Sequence, residues 1–312
     1  MKWITFLAPN EKKTLIGWLN AASDTVHHHT ALPRTMNELI EAGLEKALSF
    51  NSATPDRSWP LSEVRLLSPI PRPISMRDGY AFRQHVESAR RNRGLPMIEE
   101  FDQFPVFYFT NHLAVTGPGE VPVQKKAQDK LDFELEVAIV VGKKGRNIPA
   151  SKADEHIFGY MIMNDWSART LQMDEMKLSL GPAKGKDFAT SLGPWLVTRD
   201  ELAPASISGA SGERHNLKMR CYVNGKQVSF GNLKDMTWSF AQILERASYG
   251  VELQPGEVIG SGTVGTGCFL ELNGSKITDN QWLKPGDKVV LDVEGLGKLE
   301  NTIVDAPESY QQ

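Results

Sequence analysis

Four acidic residues on separate stretches, Asp78, the Glu134/Glu136 pair and Asp165, offer only oxygen donors, the ligand chemistry of Mg²⁺, Ca²⁺ or Mn²⁺. In Leu131-Asp132-Phe133-Glu134-Leu135-Glu136-Val137 polar and apolar residues alternate, so a strand points Asp132, Glu134 and Glu136 to one face. Like charges on one face repel, and the apolar run Val137 to Val141 follows directly. A cation held between the carboxylates relieves that repulsion. A solvated strand edge with an acidic outer face gives the same alternation.

Other polar groups are spaced for chemistry. His85 follows Asp78 by seven residues in Arg83-Gln84-His85, a stretch costly to bury without partners, and suits either a general base or a satisfied structural histidine. In Asn164-Asp165-Trp166-Ser167-Ala168-Arg169-Thr170-Leu171-Gln172, a helix over 166–172 sets Arg169 and Gln172 on one face; an ordinary helix start with Asp165 as N-cap fits too. The loop Gly181 to Phe188 presents Lys186 among glycines, or is a solvated turn. Gly260-Ser261-Gly262-Thr263-Val264-Gly265 fits the dinucleotide pattern GxGxxG, but a second strand, Cys268 to Leu272, is expected where a phosphate site needs a helix N-terminus. These glycines then serve close approach of backbone to a ligand. His27-His28-His29 point in different directions and read as surface histidines.

The elements that must position these groups are mostly strands. Short β-like runs (Phe133 to Val141, Trp195 to Thr198, Lys218 to Val223, Glu257 to Ser261, Cys268 to Leu272, Lys288 to Val293) are broken by Gly, Pro and Asn, and Asn224-Gly225 marks a hairpin. Before them, Trp3 to Leu7 reads as a strand. Thr35-Met36-Asn37-Glu38 is a capping-box pattern opening a helix with Ile40, Leu44, Ala47 and Leu48 on one face. Alternate prolines in Ser68-Pro69-Ile70-Pro71-Arg72-Pro73 favour an extended connector. The expectation is an α+β, β-rich chain: a small N-terminal α+β domain over 1–72 and a larger β-rich domain over 73–312. The 312 residues suffice for a real core; 35 Lys+Arg against 38 Asp+Glu, net −3, give no electrostatic case for nucleic acid or an anionic membrane. Two distant cysteines, Cys221 and Cys268, argue against a disulfide framework or a zinc site. No stretch approaches a membrane span, and the run Trp3 to Ala8 is short for a signal segment, so a cytoplasmic protein with a small-molecule substrate is expected.

Taken in order, Asp78-x-Tyr80 with His85, Glu134-Leu135-Glu136, Asn164 to Arg169 with Gln172, Gly185-Lys186 and Gly262-Thr263 resemble the fumarylacetoacetate hydrolase family over about residues 73 to 295. The resemblance implies a mixed β-roll catalytic domain behind a small N-terminal domain, assembled as a homodimer. It implies that Asp78, Glu134, Glu136 and Asp165 hold a divalent cation, Mg²⁺ or Ca²⁺ with Mn²⁺ as an option. By the same likeness Tyr80 and Tyr108 bind substrate, Thr263 holds a substrate carboxylate, Arg169, Gln172 and Lys186 stabilise an oxyanion, and His85 is the base. Glu271, in the expected strand after Gly262-Thr263, matches the histidine's partner in the fumarylacetoacetases. The acylpyruvate branch takes that partner three residues after the histidine, where this chain has Ser88, with Glu87 one residue earlier. Arg91 and Arg93 fall near, not on, the position of the family's carboxylate-binding arginine.

The implied activity is metal-dependent hydrolysis of a carbon–carbon bond in a β-diketo acid, fumarylacetoacetate to fumarate and acetoacetate, as in aromatic amino acid catabolism. Acylpyruvate hydrolysis or decarboxylation of a β-keto acid such as oxaloacetate uses the same metal site. A non-catalytic, cation-dependent binding module is the alternative of a different class; it has no use for His85, Glu271, Arg169 and Lys186 beside the metal.

Overall fold

The computed structural model describes residues 1–307; residues 308–312, the end of the expected catalytic segment, lie outside the described part. The chain is mixed α+β and strand-rich. Its main sheet runs in the order Arg57–Pro60, Thr25–His28, Leu15–Leu19, Lys2–Leu7, Thr190–Thr198, Ile157–Asp165, Leu135–Val141, Val258–Gly260, Met76–Gly79 and Phe107–Phe109. Strands from residues 1–72 thus continue a sheet whose other half carries the acidic residues, with Lys2↔Val197 and Trp3↔Leu196 as the join.

Leu135–Val141 and Ile157–Asp165 are buried along their whole length, which explains runs with little polar content. Alternate side chains fill different cores. Val137, Ile139, Tyr160 and Ile162 face one core, with the inner residues Met219, Cys221, Leu291 and Leu299 of a second, five-stranded sheet. Ala138, Val140, Met161, Met163 and Met76 face the other, with Trp3, Trp18, Leu39 and Ile40. Side chains two apart on a strand share a face. Asp78 therefore continues the row of Met76, Glu136 that of Val140 and Ala138, and Asp165 that of Met161 and Met163. Three apolar rows change to carboxylate at one end of the sheet.

Several local expectations meet the structure closely. Lys218–Val223 and Lys288–Val293 are strands at those bounds, and Asn224 and Gly225 both take positive φ (50° and 79°) in a primed turn. Thr35 caps the amide of Glu38 at 3.2 Å, but the Glu38 carboxylate goes to the Arg34 amide at 2.9 Å, not back to Thr35. The single helix expected beyond it is two, Met36–Glu41 and Leu44–Leu48, because Gly43 turns the chain at φ 94°. A larger correction concerns Cys268 to Leu272: the segment belongs to a helix, Phe269–Gly274, not a strand. Its first amides, Phe269 and Leu270, are taken by the buried Asp132 carboxylate at 2.7 and 2.9 Å. A helix does follow the glycines, and its N-terminus is already occupied by an acid, which leaves no place there for a phosphate.

Candidate metal centre and active site

Register brings the acids together. Gly260 lies opposite Asp78 on one side and Ala138 on the other, while Leu135 faces Asn164 and Glu136 faces Met163. Each of Asp78, Glu134, Glu136 and Asp165 is buried, and each offers an oxygen within 4.8 Å of the others. Gly260 makes the gathering possible: a Cβ there would overlap the Asp78 carboxylate and stand 3.0 Å from Glu136 Oε2. The Gly262 amide, in a left-handed turn at φ 75°, donates to Asp78 Oδ1 at 3.0 Å.

Two cations balance part of this charge. Lys186 Nζ donates to Glu134 Oε2 (2.6 Å) and Asp165 Oδ2 (2.8 Å). Arg169 donates through Nη2 to Glu134 Oε1 and through Nε to Asp132 Oδ2, both at 2.8 Å. Burial raises the Glu134 carboxyl, but Lys186 and Arg169 outweigh it and hold the group at about 2. The others are not so served. Burial, then the nearby Asp165, pushes Asp78 up to about 7; burial and Asp78 push Glu136 well above the carboxylate range; burial raises Asp165 against Lys186. Both oxygens of Glu136 and Oδ1 of Asp165 are buried without a hydrogen-bond partner. Buried carboxylates in this state keep protons or share a cation. An all-oxygen donor set with unsatisfied, inward atoms, and a backbone glycine that leaves room for it, fits a hard divalent cation.

Beside this cluster, His85 from the helix Arg83–Arg91 places Nδ1 2.8 Å from Glu271 Oε2, with both side chains buried. Glu271 thus reaches the histidine from a helix instead of the expected strand. Ser88 accepts a 3.3 Å bond from Arg91, and it is Arg93, not Arg91, that lines the pocket. The pocket measures about 700 Å³ and is lined by Asp78, Tyr80, His85, Tyr108, Glu134, Arg169, Gln172, Lys186 and Thr263 among others. Nine expected site residues therefore border one cavity. Glu136, Asp165 and Glu271 stand directly behind its wall. Tyr108 lines it as expected, but its hydroxyl donates to Asp165 Oδ2. Arg169 and Gln172 share a helix face, joined by a 3.0 Å bond from Arg169 Nη1 to Gln172 Oε1, in the helix Arg169–Met176; Asp165 ends the strand Ile157–Asp165 and caps no helix. Asp132 ties Arg169 to the helix that carries Glu271 and has no role in the motifs above; its place in the acidic alternation is the signal for it. Asn164, likewise without an expected role of its own, accepts the Glu134 amide on Oδ1 at 3.0 Å. The three adjacent histidines do diverge: His27 to Ser58 Oγ, His28 to the Ile16 carbonyl, and His29 toward Asp56. Both cysteines are free and buried.

The family model described as fumarylacetoacetate (FAA) hydrolase C-terminal matches residues 75–304, the span that carries every residue of the carboxylate cluster and the pocket named above. The chain belongs to the fumarylacetoacetate hydrolase family. It is 32% identical over 278 residues to the human oxaloacetate tautomerase FAHD2A, mitochondrial, covering 88% of this chain and 81% of that protein. It is 31% identical over 314 residues to a fumarylacetoacetase of Oryza sativa subsp. japonica, covering 82% and 72%. Among solved structures, a fumarylacetoacetate hydrolase from psychrophilic Exiguobacterium antarcticum superposes with a TM-score of 0.75 at 27% identity, covering 98% of this chain and 100% of that one. The chain is accordingly an enzyme of a family that includes hydrolases, isomerases and tautomerases, generally dependent on a divalent cation. Among the described residues no helix is long and apolar enough to cross a membrane.

Proposed function

We propose that the enzyme moves a proton at the carbon next to a ketone in a β-keto acid, the enolisation shared by tautomerases and decarboxylases of this family. The observation that carries the reading is His85, paired with Glu271 at 2.8 Å, bordering the same pocket as Asp78 and Glu134 of the four-carboxylate cluster. Likeness to an oxaloacetate tautomerase at 32% identity over most of the chain supports this chemistry ahead of the hydrolysis expected from the sequence.

Asp78, Glu134, Glu136 and Asp165 would hold the cation, which when bound supplies Lewis acidity and a template for two substrate oxygens. His85 donates its Nδ1 proton to Glu271, which leaves Nε2 with a lone pair to take a proton from substrate carbon. Glu271 orients the ring and stabilises the imidazolium that forms. Negative charge then grows on the substrate oxygen. Gln172 has its amide oxygen tied to Arg169, so its NH₂ is left to donate to that oxygen. Lys186 spends two of its three donors on Glu134 and Asp165 and adds its positive charge alongside. Arg169, with its donors on Asp132, Glu134 and Gln172, positions these groups. Tyr80, edge-on to the His85 ring at 5.7 Å between centroids, packs the base in place, and Thr263, which lines the pocket with its hydroxyl 3.4 Å from the Leu135 carbonyl, would turn that hydroxyl to the substrate carboxylate.

A second reading, hydrolysis of a β-diketo acid to two acids, is favoured by the same dyad, because a buried His–Glu pair also activates water. The test is an absorbance assay of enol-oxaloacetate ketonisation and of fumarylacetoacetate cleavage, with Mg²⁺ or chelator and with product identification. Mg²⁺-dependent ketonisation, lost with His85→Ala, is the expected result; cleavage of fumarylacetoacetate without ketonisation would replace the first reading with the second. A homodimer and a divalent cation, Mg²⁺ or Ca²⁺ with Mn²⁺ as an option, complete the proposal.

A further inference from the structure

One helix face spans the pocket from end to end. Arg169, Gln172, Met173 and Met176 all line it, and their spacing of three, four and seven residues is that of a single face of the Arg169–Met176 helix. Seven residues advance about 10 Å along a helix. Over that distance the face changes from a guanidinium and an amide at the carboxylate cluster to two thioethers at the mouth. Leu270 and Trp282 line the pocket as well, both half-buried, and Val106 stands at the rim. Met173, Met176 and Val106 are 37%, 46% and 49% exposed. Apolar side chains gathered round a cavity mouth in this way leave surface that a ligand gains by covering.

The charges point the same way. Of the cations lining the pocket, Arg169 and Lys186 are engaged with carboxylates of the protein. Arg93 lies exposed, where pairing with a second substrate carboxylate contributes little. A four-carbon dicarboxylate would fill only the polar end and set its second charge toward thioether and indole.

We infer that the preferred substrate is a 2-keto acid with a second carbonyl at C4, its one carboxylate at the polar end of the pocket and a large apolar substituent on C4, an aryl ring or an alkyl chain of comparable length, lying against Met173, Met176, Leu270 and Trp282. This rests on the keto-acid reading above. Thioethers adapt to the edge of an aromatic ring, and the indole offers a second such surface. Met173 and Met176 thereby determine specificity without touching the reacting atoms.

The experiment compares acetylpyruvate and benzoylpyruvate, which differ only in methyl against phenyl, together with oxaloacetate. Calorimetry in Mg²⁺ on the His85→Ala protein reads affinity without turnover, and kcat/KM on the unmodified enzyme reads the same preference with the base in place. Benzoylpyruvate is expected to bind roughly tenfold more tightly or better than acetylpyruvate. Met173→Glu/Met176→Glu is expected to erase that preference and leave the acetylpyruvate Kd within about twofold, since the polar end is untouched. Equal affinity for the methyl and phenyl compounds, or oxaloacetate binding more tightly than both, overturns the inference. Selective binding of the phenyl compound with no turnover of any keto acid supports the apolar arm and overturns the enolisation reading instead. Absence of binding by all three overturns both.

Discussion

Residues 77 and 78 are neighbours on one strand and lie on opposite faces of the sheet, and their surroundings differ completely. Arg77 pairs with Glu257, whose carboxylate also accepts from Ser75 Oγ and from the Gln254 amide, each at 2.8 Å. Asp78 faces Glu136, whose two oxygens are buried without a partner. Both regions bury charge, but the first is neutralised within the fold and the second is not. A compensated buried pair can be scaffold; three carboxylates that share Lys186, the Tyr108 hydroxyl and one backbone amide, with both Glu136 oxygens unpartnered, cannot be understood as packing. The contrast assigns the Asp78 side of the sheet to ligand chemistry and the Arg77 side to support.

One substitution separates the base from the cation site. His85→Ala should lower kcat by roughly 10²- to 10⁴-fold, with Mg²⁺ affinity by calorimetry unchanged. Loss of both together would merge the dyad and the cluster into one unit. On the compensated side, Arg77→Leu should destabilise the fold by about 3–5 kcal/mol in denaturant titrations, because it leaves Glu257 buried without its ion pair. On the uncompensated side the sign reverses: Glu136→Gln should raise the melting temperature of the protein in chelator while weakening cation binding by about tenfold or more. If Glu136→Gln were as destabilising in chelator as Arg77→Leu, the two regions would not differ as argued.

A smaller effect concerns pH. Folded Asp78 keeps its proton to about 7, whereas the unfolded carboxyl releases it near 3.8. Between those values the folded form binds more protons, so this contribution is fully present below 3.8 and lost as pH rises through about 7. Glu134 acts in the opposite sense in a lower window, its contribution present above 4.5 and lost as pH falls through about 2. Melting curves in chelator should therefore show stability falling between pH 4 and 7, and Mg²⁺ should remove that fall. A chelator profile flat over this range would contradict the placement of protons in the cluster.

Much of the site was legible because its carboxylates sit at the ends of period-two rows, and alternation survives in sequence. Glu134 and Glu136 were readable on that ground, as were Arg169 and Gln172 from helical spacing. What alternation cannot show is where a row ends against another strand: the convergence of Asp78 on Glu136 depends on Gly260, a residue that the GxGxxG match drew toward a different meaning. The Cys268 to Leu272 error has a similar origin. A short apolar run fits either a strand or a buried helix turn, and the choice was made by a carboxylate, Asp132, more than 130 positions earlier in the chain. The break at Gly43 was likewise invisible to the apolar pattern, which runs on through it.

Proton NMR of oxaloacetate in deuterated buffer with Mg²⁺ shows whether this pocket moves a proton at carbon. The enzyme should exchange the C3 protons for deuterium faster than Mg²⁺ alone, and His85→Ala should return the rate to that background. Exchange no faster than Mg²⁺ alone, with the cation bound and the protein folded, would contradict proton transfer at carbon.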